Sequence, residues 1–438
     1  MQRKISLRGG PIVAIDSPSW LKSSIIYEVF VRNYGNAGTF NDIYNDIERI
    51  KALGADILWF MPFYPIGKVG RKGTHGSPYS IKDYEEISKE IGNKRDFKRL
   101  IDKAHDNGLK IMIDIVFNHT AIDSKLAETH PEWFMKDQNG KLTRKVEDWN
   151  DVYDLDYDNL DLWDYLINVL DGWIDLGVDA FRCDVASLVP LEFWKKSREL
   201  LNQKKEIIWL AETLDPKFIH DLRTKGYDVH SDSEVYQAFD LTYDYDGFYY
   251  LRSYFSGEKD LKHFFEHVFL QETIFPKNSL KLRFLENHDN PRIASVLEGK
   301  NKIKNWTVLY NLLPGASLIY AGQELMMEKL PNLFEKDSIK WDKGDYEFLS
   351  FFKKIIKLTK EIKSTCNQFS LCELSEGIVM IKWNGEEEEY ITILNLEDRH
   401  GKIPVDFNLY GTDLITNETV SIQNYFVISK LPMIIKVR

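Results

Sequence analysis

The chain has little cysteine and no long apolar run. Its 438 residues include three cysteines, Cys183, Cys366 and Cys372, and such an odd, sparse set does not suggest a disulfide framework. The most apolar window, residues 57–66, contains two prolines and is shorter than the ~20 residues of a membrane span. The amino-terminal run Pro11–Ile15 is also shorter than the ~7–15 residues of a secretory apolar region. We therefore expect a reduced, cytoplasmic protein without a signal peptide.

Basic residues are in the minority. Lys and Arg number 57 against 68 Asp and Glu, which gives a net charge of −11. A nucleic-acid or anionic-membrane surface needs a basic excess, so we expect neither partner. A phosphate-binding glycine loop and Cys/His metal-ligand spacing are missing from the sequence as well. Nothing in the sequence predicts an oligomeric state.

What the chain does contain is a repeated unit of amphipathic helix, glycine and apolar run. Glycine supplies the left-handed residue that ends a helix, and a continuous apolar run is typical of a strand buried on both faces. Such units predict a parallel α/β sheet. Apolar runs that we interpret as strands occupy residues 25–31, 57–61, 111–116, 178–181, 207–211, 280–285 and 317–321. With one further strand expected between residues 212 and 280, the eight strands favour a closed (β/α)8 TIM barrel over an open sheet.

Two regions interrupt this repeat. Residues 118–159 are polar and aromatic, which predicts a short loop subdomain inserted after the third strand. From about residue 363 the pattern changes to antiparallel strands, including Gly377–Trp383 and Tyr390–Leu396, so residues 363–438 are predicted to form a C-terminal β domain. The barrel then comprises residues 1–117 and 160–362. Because no Gly/Ser linker separates these parts, we expect them to pack directly.

Carboxylates occur where four of the apolar runs end. In α/β barrels the functional side chains come from the carboxyl ends of the strands. Buried charges are costly unless they are paired or functional, so the alternative interpretation is a structural salt-bridge network. The four strand ends are Asp114–His119, Phe181–Asp184, Leu210–Glu212 and Phe284–Asp289.

The spacing of these carboxylates suggests two different chemical roles. Arg182 and Asp184 lie on one face of their strand, so the arginine can hold the carboxylate of Asp184 ionised. An ionised, oriented aspartate suits a nucleophile at a sugar anomeric carbon. Glu212 follows Leu210 and Ala211, and desolvation there would raise its pKa, as a general acid requires.

These segments resemble the signature motifs of the α-amylase family, glycoside hydrolase family 13. Asp114–His119 is similar to the family motif D-x-V-x-N-H, and Gly177–Asp184 is similar to G-V-D-G-F-R-x-D, with Ala180 in place of the second glycine. Glu212 falls at the position of the family's acid, and Asn287–Asp289 matches N-H-D. The order and spacing of the motifs agree over most of the chain.

The resemblance implies a role for each matching residue. Asp184 would be the nucleophile, Glu212 the general acid/base and Asp289 the stabiliser of the transition state. Asp114 and Asn118 would be structural residues near the site. The subsite for the cleaved sugar would be lined by Tyr79, which stacks beneath the sugar, and by His119, Arg182 and His288.

The implied reaction is retaining hydrolysis of α-1,4-glucans or maltooligosaccharides through a covalent glycosyl-enzyme. It requires carboxyl groups about 5–5.5 Å apart, against ~6.5–9.5 Å in inverting enzymes. Two alternatives use the same scaffold, a 4-α-glucanotransferase and an α-1,6-acting glucosidase, in which a valine such as Val185 is familiar after the nucleophile. A third alternative is a sugar-binding barrel without catalytic activity.

Calcium is the one cofactor that the resemblance raises. Calcium-dependent members often have a Lys-His pair after the nucleophile, whereas this chain has Val185-Ala186-Ser187-Leu188. Asn118 is present, but it can serve simply to hold the inserted loop by hydrogen bonds. Calcium needs about 6–8 oxygen ligands, which the sequence does not bring together. We therefore expect no cofactor and no metal ligand, with a calcium ion in the family's usual place as the alternative.

Overall fold

Eight parallel strands form a closed barrel, which confirms the predicted fold. The computed structural model describes residues 17–438, so the run Pro11–Ile15 lies outside the described residues. The barrel strands follow one another in the order β1-β10-β9-β8-β7-β6-β3-β2, and β8 is the strand expected between residues 212 and 280. In chain order the strands are β1 (Ile25–Val29), β2 (Ile57–Phe60), β3 (Lys110–Ile115), β4 (His119–Ala121), β5 (Val152–Asp154), β6 (Ala180–Cys183), β7 (Ile208–Ala211), β8 (Leu241–Tyr243), β9 (Leu280–Arg283), β10 (Ala316–Tyr320), β11 (Cys366–Ser375), β12 (Ile378–Gly385), β13 (Glu389–Asn395), β14 (Lys402–Pro404), β15 (Leu409–Asp413), β16 (Thr419–Ile422), β17 (Tyr425–Val427) and β18 (Met433–Val437).

Helices alternate with the barrel strands. In α6, Leu162, Leu166 and Leu170 recur at helical spacing and are completely buried, and Gly177, at φ +121°, ends the helix. Within residues 17–438 no helix has both the length and the apolar character that a bilayer span requires. The helices are α1 (Val31–Tyr34), α2 (Phe40–Tyr44), α3 (Ile47–Leu53), α4 (Lys94–Asp106), α5 (Lys125–Thr129), α6 (Leu160–Leu176), α7 (Leu191–Asn202), α8 (Pro216–Thr224), α9 (Asp232–Val235), α10 (Tyr245–Phe255), α11 (Leu261–Ile274), α12 (Ile293–Val296), α13 (Lys300–Leu312) and α14 (Tyr346–Thr365).

The segment of residues 118–159 leaves the barrel directly at the carboxyl end of β3. Its strands β4 and β5 pair antiparallel, with His119 opposite Asp154. The Tyr157 hydroxyl donates to the Phe117 carbonyl at 2.7 Å and so ties the end of the segment back to its beginning. The conformation of this segment therefore decides where the side chains that follow β3 lie.

The residues after α14 form antiparallel β structure that packs on the barrel. Six strands pair in the order β11-β12-β13-β18-β15-β16, and β14 pairs with β17. The Trp383 indole donates to the Leu312 carbonyl of α13 at 2.9 Å, and the Asn395 amide donates to the Asn305 side chain at 2.9 Å. These contacts join the sheet to the barrel helix without a linker.

Several boundaries differ from the sequence pattern. Among the strands, β1 ends at Val29 and not at residue 31, β6 spans 180–183 and not 178–181, and β9 ends at Arg283 and not at residue 285. Two helix boundaries differ as well. The helical spacing over residues 43–53 belongs to two helices, α2 and α3, because Asp46 between them leaves helical geometry at φ −110° and ψ 0°. The Asp46 carboxylate forms an ion pair with Arg49 of α3, with 2.7 Å between Oδ2 and Nε. In addition, α14 continues to Thr365, so residues 363–365 are helical and β11 begins at Cys366.

We predict that Gly315, between α13 and β10, tolerates no side chain. It has φ +113°, and a Cβ there would lie 2.2 Å from the Lys281 carbonyl oxygen of β9. Gly315→Ala should therefore add steric overlap to a left-handed strain of ~1–2 kcal/mol. Gly299 is the matched control, with φ +94° and nothing within 4 Å of its Cβ position. Thermal unfolding should show a clearly larger loss for Gly315→Ala than for Gly299→Ala, and equal losses would refute the steric explanation.

Candidate active site

The Arg182 guanidinium is the centre of the site. Arg182 is completely buried on β6, between β3 and β7 in the barrel. Its Nη1 lies 2.9 Å from Asp114 Oδ1 and 2.9 Å from Asp184 Oδ1, and its Nη2 lies 2.8 Å from Glu212 Oε1. The register of the barrel strands explains the contacts with the neighbouring strands. Arg182 is opposite Asp114 on one side and opposite Leu210, two residues before Glu212, on the other. Three carboxylates from neighbouring strand ends therefore share one cation.

A strained residue fixes the second oxygen of Glu212. Val185 follows Asp184 and has φ +36°, in the left-handed region that a β-branched residue rarely adopts. Its backbone N–H donates to Glu212 Oε2 at 2.8 Å. The strained turn after β6 therefore directs a hydrogen-bond donor at the carboxyl group of Glu212, the residue that follows β7.

Burial sets the protonation of these carboxyl groups. It raises the pKa of Glu212 to about 7, against the opposing effect of Arg182. It also raises the pKa of Asp184 to about 6 and that of Asp114 to about 7, although Arg182 contacts both. Arg182 lowers the pKa of Asp184, as an arginine that holds this carboxylate ionised should, but desolvation has the larger effect. Asp184 still loses its proton at a lower pH than Glu212.

Besides Arg182 and its three carboxyl groups, the site contains a second cluster of charged side chains, His288 with Glu28 and Asp289. Both ring nitrogens of the buried His288 contact acceptors, since Nδ1 makes a short hydrogen bond with Glu28 and Nε2 lies 3.1 Å from Asp289 Oδ2. Burial disfavours the charged imidazole, but Asp289 and Glu28 together raise the pKa of His288 well above its usual value. Burial likewise opposes ionisation of Asp289, yet the neighbouring His288 holds its pKa below the usual value. Asp289, with 47% of its side chain exposed, faces the cleft.

Tyr79 connects the Arg182 cluster with the His288 cluster. Its hydroxyl lies 2.8 Å from His288 Nε2 and 3.2 Å from Asp114 Oδ2. Its ring stacks on the His288 ring, with the centroids 5.5 Å apart and the planes at 22°. The half-buried ring is therefore held by contacts to both His288 and Asp114.

The remaining predicted residues lie where the inserted segment meets the barrel. Asn118 and His119 follow β3 and are buried, and the Asn118 side-chain nitrogen lies 3.1 Å from His119 Nδ1. The His119 ring is 5.4 Å from the ring of Trp149, which belongs to the same segment. Burial lowers the pKa of His119, so its imidazole is neutral at neutral pH.

An open cleft adjoins the carboxyl groups. Its volume is about 460 Å³, in the range of small-ligand sites. Glu212 and Asp289 both reach this cleft, so a ligand there would contact them. Its walls are completed by Thr213, Leu214, Asp215, Lys217, Tyr245, Phe248, Tyr249, Arg252 and Asn290.

Sequence reasoning assigned no role to Glu28 or Tyr245. Glu28 lies at the end of β1, so the rule that carboxylates at strand ends carry function would have found it. Tyr245 begins α10, and its hydroxyl accepts a hydrogen bond from the Asn287 side chain at 3.0 Å. No spacing rule in the sequence predicts that contact, because it joins the start of α10 to the segment after β9, which the barrel brings together.

The fold and the site together define the class of protein. Paired carboxyl groups that share one arginine at the carboxyl ends of barrel strands are an arrangement typical of glycoside hydrolases. The chain belongs to the α-amylase family, since the family model described as "Alpha amylase, catalytic domain" matches residues 25–371. The resemblance seen in the sequence motifs is thereby confirmed.

Individual relatives agree with this family. The crystal structure of an α-amylase from Lactobacillus plantarum is 42% identical, has a TM-score of 0.91, and covers 96% of this chain and 100% of that chain. A maltogenic α-amylase from Thermotoga neapolitana is 33% identical with a TM-score of 0.85, covering 95% of this chain and 99% of that one. The α-amylase MalA of Haloarcula japonica is 26% identical over 92% of this chain and 60% of its own length. This chain therefore spans about three fifths of that relative.

We predict that Glu28 keeps His288 charged. Glu28→Gln removes one of the two carboxylates that face the imidazole, so the pKa of His288 should fall towards its usual value. NMR titration of the histidine ring nitrogens measures this change directly. A surface Glu–His pair supplies the control, because Glu90 lies 3.3 Å from His75 with 67% of its side chain exposed. Glu90→Gln should leave the His288 titration unchanged, and an unshifted His288 in Glu28→Gln would contradict the assignment.

Proposed function

We propose that the protein is a retaining α-glucosidic hydrolase that cleaves α-1,4 bonds in glucans or maltooligosaccharides. The observation that carries this proposal is the shared guanidinium, whose Nη1 contacts Asp184 and whose Nη2 contacts Glu212. Two carboxyl groups on one arginine fork lie close together, as a nucleophile and an acid that act on the same bond must. The α-amylase and maltogenic α-amylase relatives support the same substrate class.

The roles follow from the environment of each group. Asp184 has the lower pKa of the pair and is the nucleophile that attacks C1. Glu212 reaches the cleft and holds its proton to a higher pH, so it protonates the glycosidic oxygen and then activates water. Asp289, ionised beside His288, faces the developing positive charge of the oxocarbenium-like transition state. Tyr79 lies beneath the sugar ring, while Arg182, His119 and His288 position it.

The assembled site favours catalysis over simple sugar binding. A binding module needs no acid with a raised pKa, and it needs no strained turn aimed at that acid. We place the enzyme in the cytoplasm, where the unpaired thiols of Cys183, Cys366 and Cys372 would stay reduced. The reaction as proposed requires no cofactor.

We predict that Asp184→Asn and Glu212→Gln each lower kcat/KM on maltotetraose on the order of a thousandfold or more, because each removes a group that acts on the reacting bond. Asp179→Asn is the matched control, since Asp179 precedes the same strand and is 6% exposed, as is Asp184. Its carboxylate pairs with Lys205 at 2.7 Å at the opposite end of the barrel. That control should lower stability but retain most of kcat/KM at low temperature.

The same assays decide between the alternatives. Proton NMR should show the α-anomer as the first product, and a β-anomer would overturn the assignment of Asp184 as nucleophile. Products longer than maltotetraose would indicate glucanotransferase activity. Faster cleavage of an α-1,6-linked oligosaccharide would indicate the α-1,6 alternative, and full activity of Asp184→Asn would refute the enzymatic proposal.

The pKa values predict a narrow optimum of activity. Below a pH of about 6 Asp184 takes up a proton and stops acting as a nucleophile, and above about 7 Glu212 loses the proton that it must donate. The plot of kcat/KM against pH should therefore be bell-shaped, with apparent pKa values that belong to the coupled pair. A profile that stays flat well above pH 7 would contradict the role of Glu212 as acid.

A further inference from the structure

Lys145 occupies the position at which the inserted segment meets the end of β3. Its ammonium lies 2.9 Å from Asn118 Oδ1 and 3.0 Å from Asp154 Oδ2, and 12% of its side chain is exposed. Asp154 is completely buried, and within residues 17–438 this ammonium is its only ion-pair partner. A buried carboxylate without a counter-ion is strongly destabilising. The segment therefore depends on a cation at this point.

The oxygens that Lys145 contacts do not fit a calcium ion. Calcium needs about 6–8 oxygen ligands, and an ammonium already lies against Asn118 Oδ1 and Asp154 Oδ2. Among the described residues no group of three or more His, Cys, Asp and Glu side chains is arranged to hold a metal. The calcium that the family resemblance raises would have to displace the lysine.

The contact between Lys145 and Asn118 also determines which ring nitrogen of His119 carries the proton. An ammonium can only donate hydrogen bonds, so the oxygen of the Asn118 amide must face Lys145. The amide nitrogen then faces His119 Nδ1 at 3.1 Å and donates to it. A neutral imidazole that accepts at Nδ1 carries its proton on Nε2. The orientation of one amide thus selects the tautomer of His119.

We propose that the Lys145 ammonium is the resident cation of residues 118–159: it neutralises Asp154, and through Asn118 it holds His119 in the Nε2–H tautomer, so that neither the segment nor the site needs a divalent ion. Lys145 is thus a positioning residue. Only its effect on turnover rests on the proposed function, because the structural role can be measured without substrate.

The first test is thermal unfolding with excess EDTA and with millimolar calcium. Wild-type Tm should be the same in both, whereas Lys145→Met should lower Tm by about 3 °C or more. The matched control is Lys141→Met, which changes an exposed lysine of the same segment and should have little effect. In a double-mutant cycle, Lys145→Met should lower the stability much less in an Asp154→Asn background than in the wild-type background. A wild-type Tm that falls in EDTA and recovers with calcium, or additive losses in the cycle, would overturn the proposal.

The second test reads the tautomer of His119. Nitrogen NMR of histidine-labelled protein, with the His119 signal assigned through a His119→Gln variant, should show the Nε2–H form in wild type and in Lys141→Met. Lys145→Met should lose this single tautomer, and a purely structural lysine would leave it unchanged. Because neither test uses substrate, a failure of the proposed reaction would leave both results valid. If the protein catalyses the proposed reaction, Lys145→Met should lower kcat/KM in the wild-type background but should have no further effect in a His119→Gln background.

Discussion

One buried guanidinium carries most of the organisation of the site. Arg182 is completely buried and contacts Asp114, Asp184 and Glu212. Three carboxyl groups share this guanidinium, and one positive charge can neutralise only one of them. Burial raises the pKa values of Asp184 and Glu212, and the guanidinium opposes this rise only in part. Any change that moves Arg182 would alter position and protonation together.

Most of the fold could be predicted from the sequence, because it rests on local rules. Glycines after amphipathic helices and unbroken apolar runs indicated seven of the eight barrel strands, and among these eight only β8, with the three residues Leu241–Tyr243, left too short a run to recognise. Helix ends were harder to predict. Asp46, between α2 and α3, has non-helical backbone angles, and apolar spacing contains no information about such a break.

The predicted site residues on the barrel are brought together by the structure, whereas several of their partners could not be predicted. Carboxylates at strand ends are visible in a sequence because they interrupt apolar runs. Val185 gives no such signal, since a β-branched residue does not by itself predict a left-handed backbone conformation. Lys145 lies in an irregular polar segment, where nothing in the sequence distinguishes it from the other lysines of that segment. What fixes their function is contact over a long sequence separation, which neither composition nor periodicity encodes.

Each charged group of the site has partners from separate parts of the chain. Arg182 on β6 holds carboxylates from β3 and β7, and His288 after β9 holds Glu28 on β1 and its neighbour Asp289. Tyr79, from the loop after β2, joins the two groups by contacting both His288 and Asp114. Because these elements meet only when the barrel closes, the contacts among these charged side chains form only in the folded chain. Burial raises the pKa of Asp114, Asp184 and Glu212, so keeping these carboxyl groups ionised at neutral pH costs folding stability. Substitutions at these positions therefore change stability and protonation together.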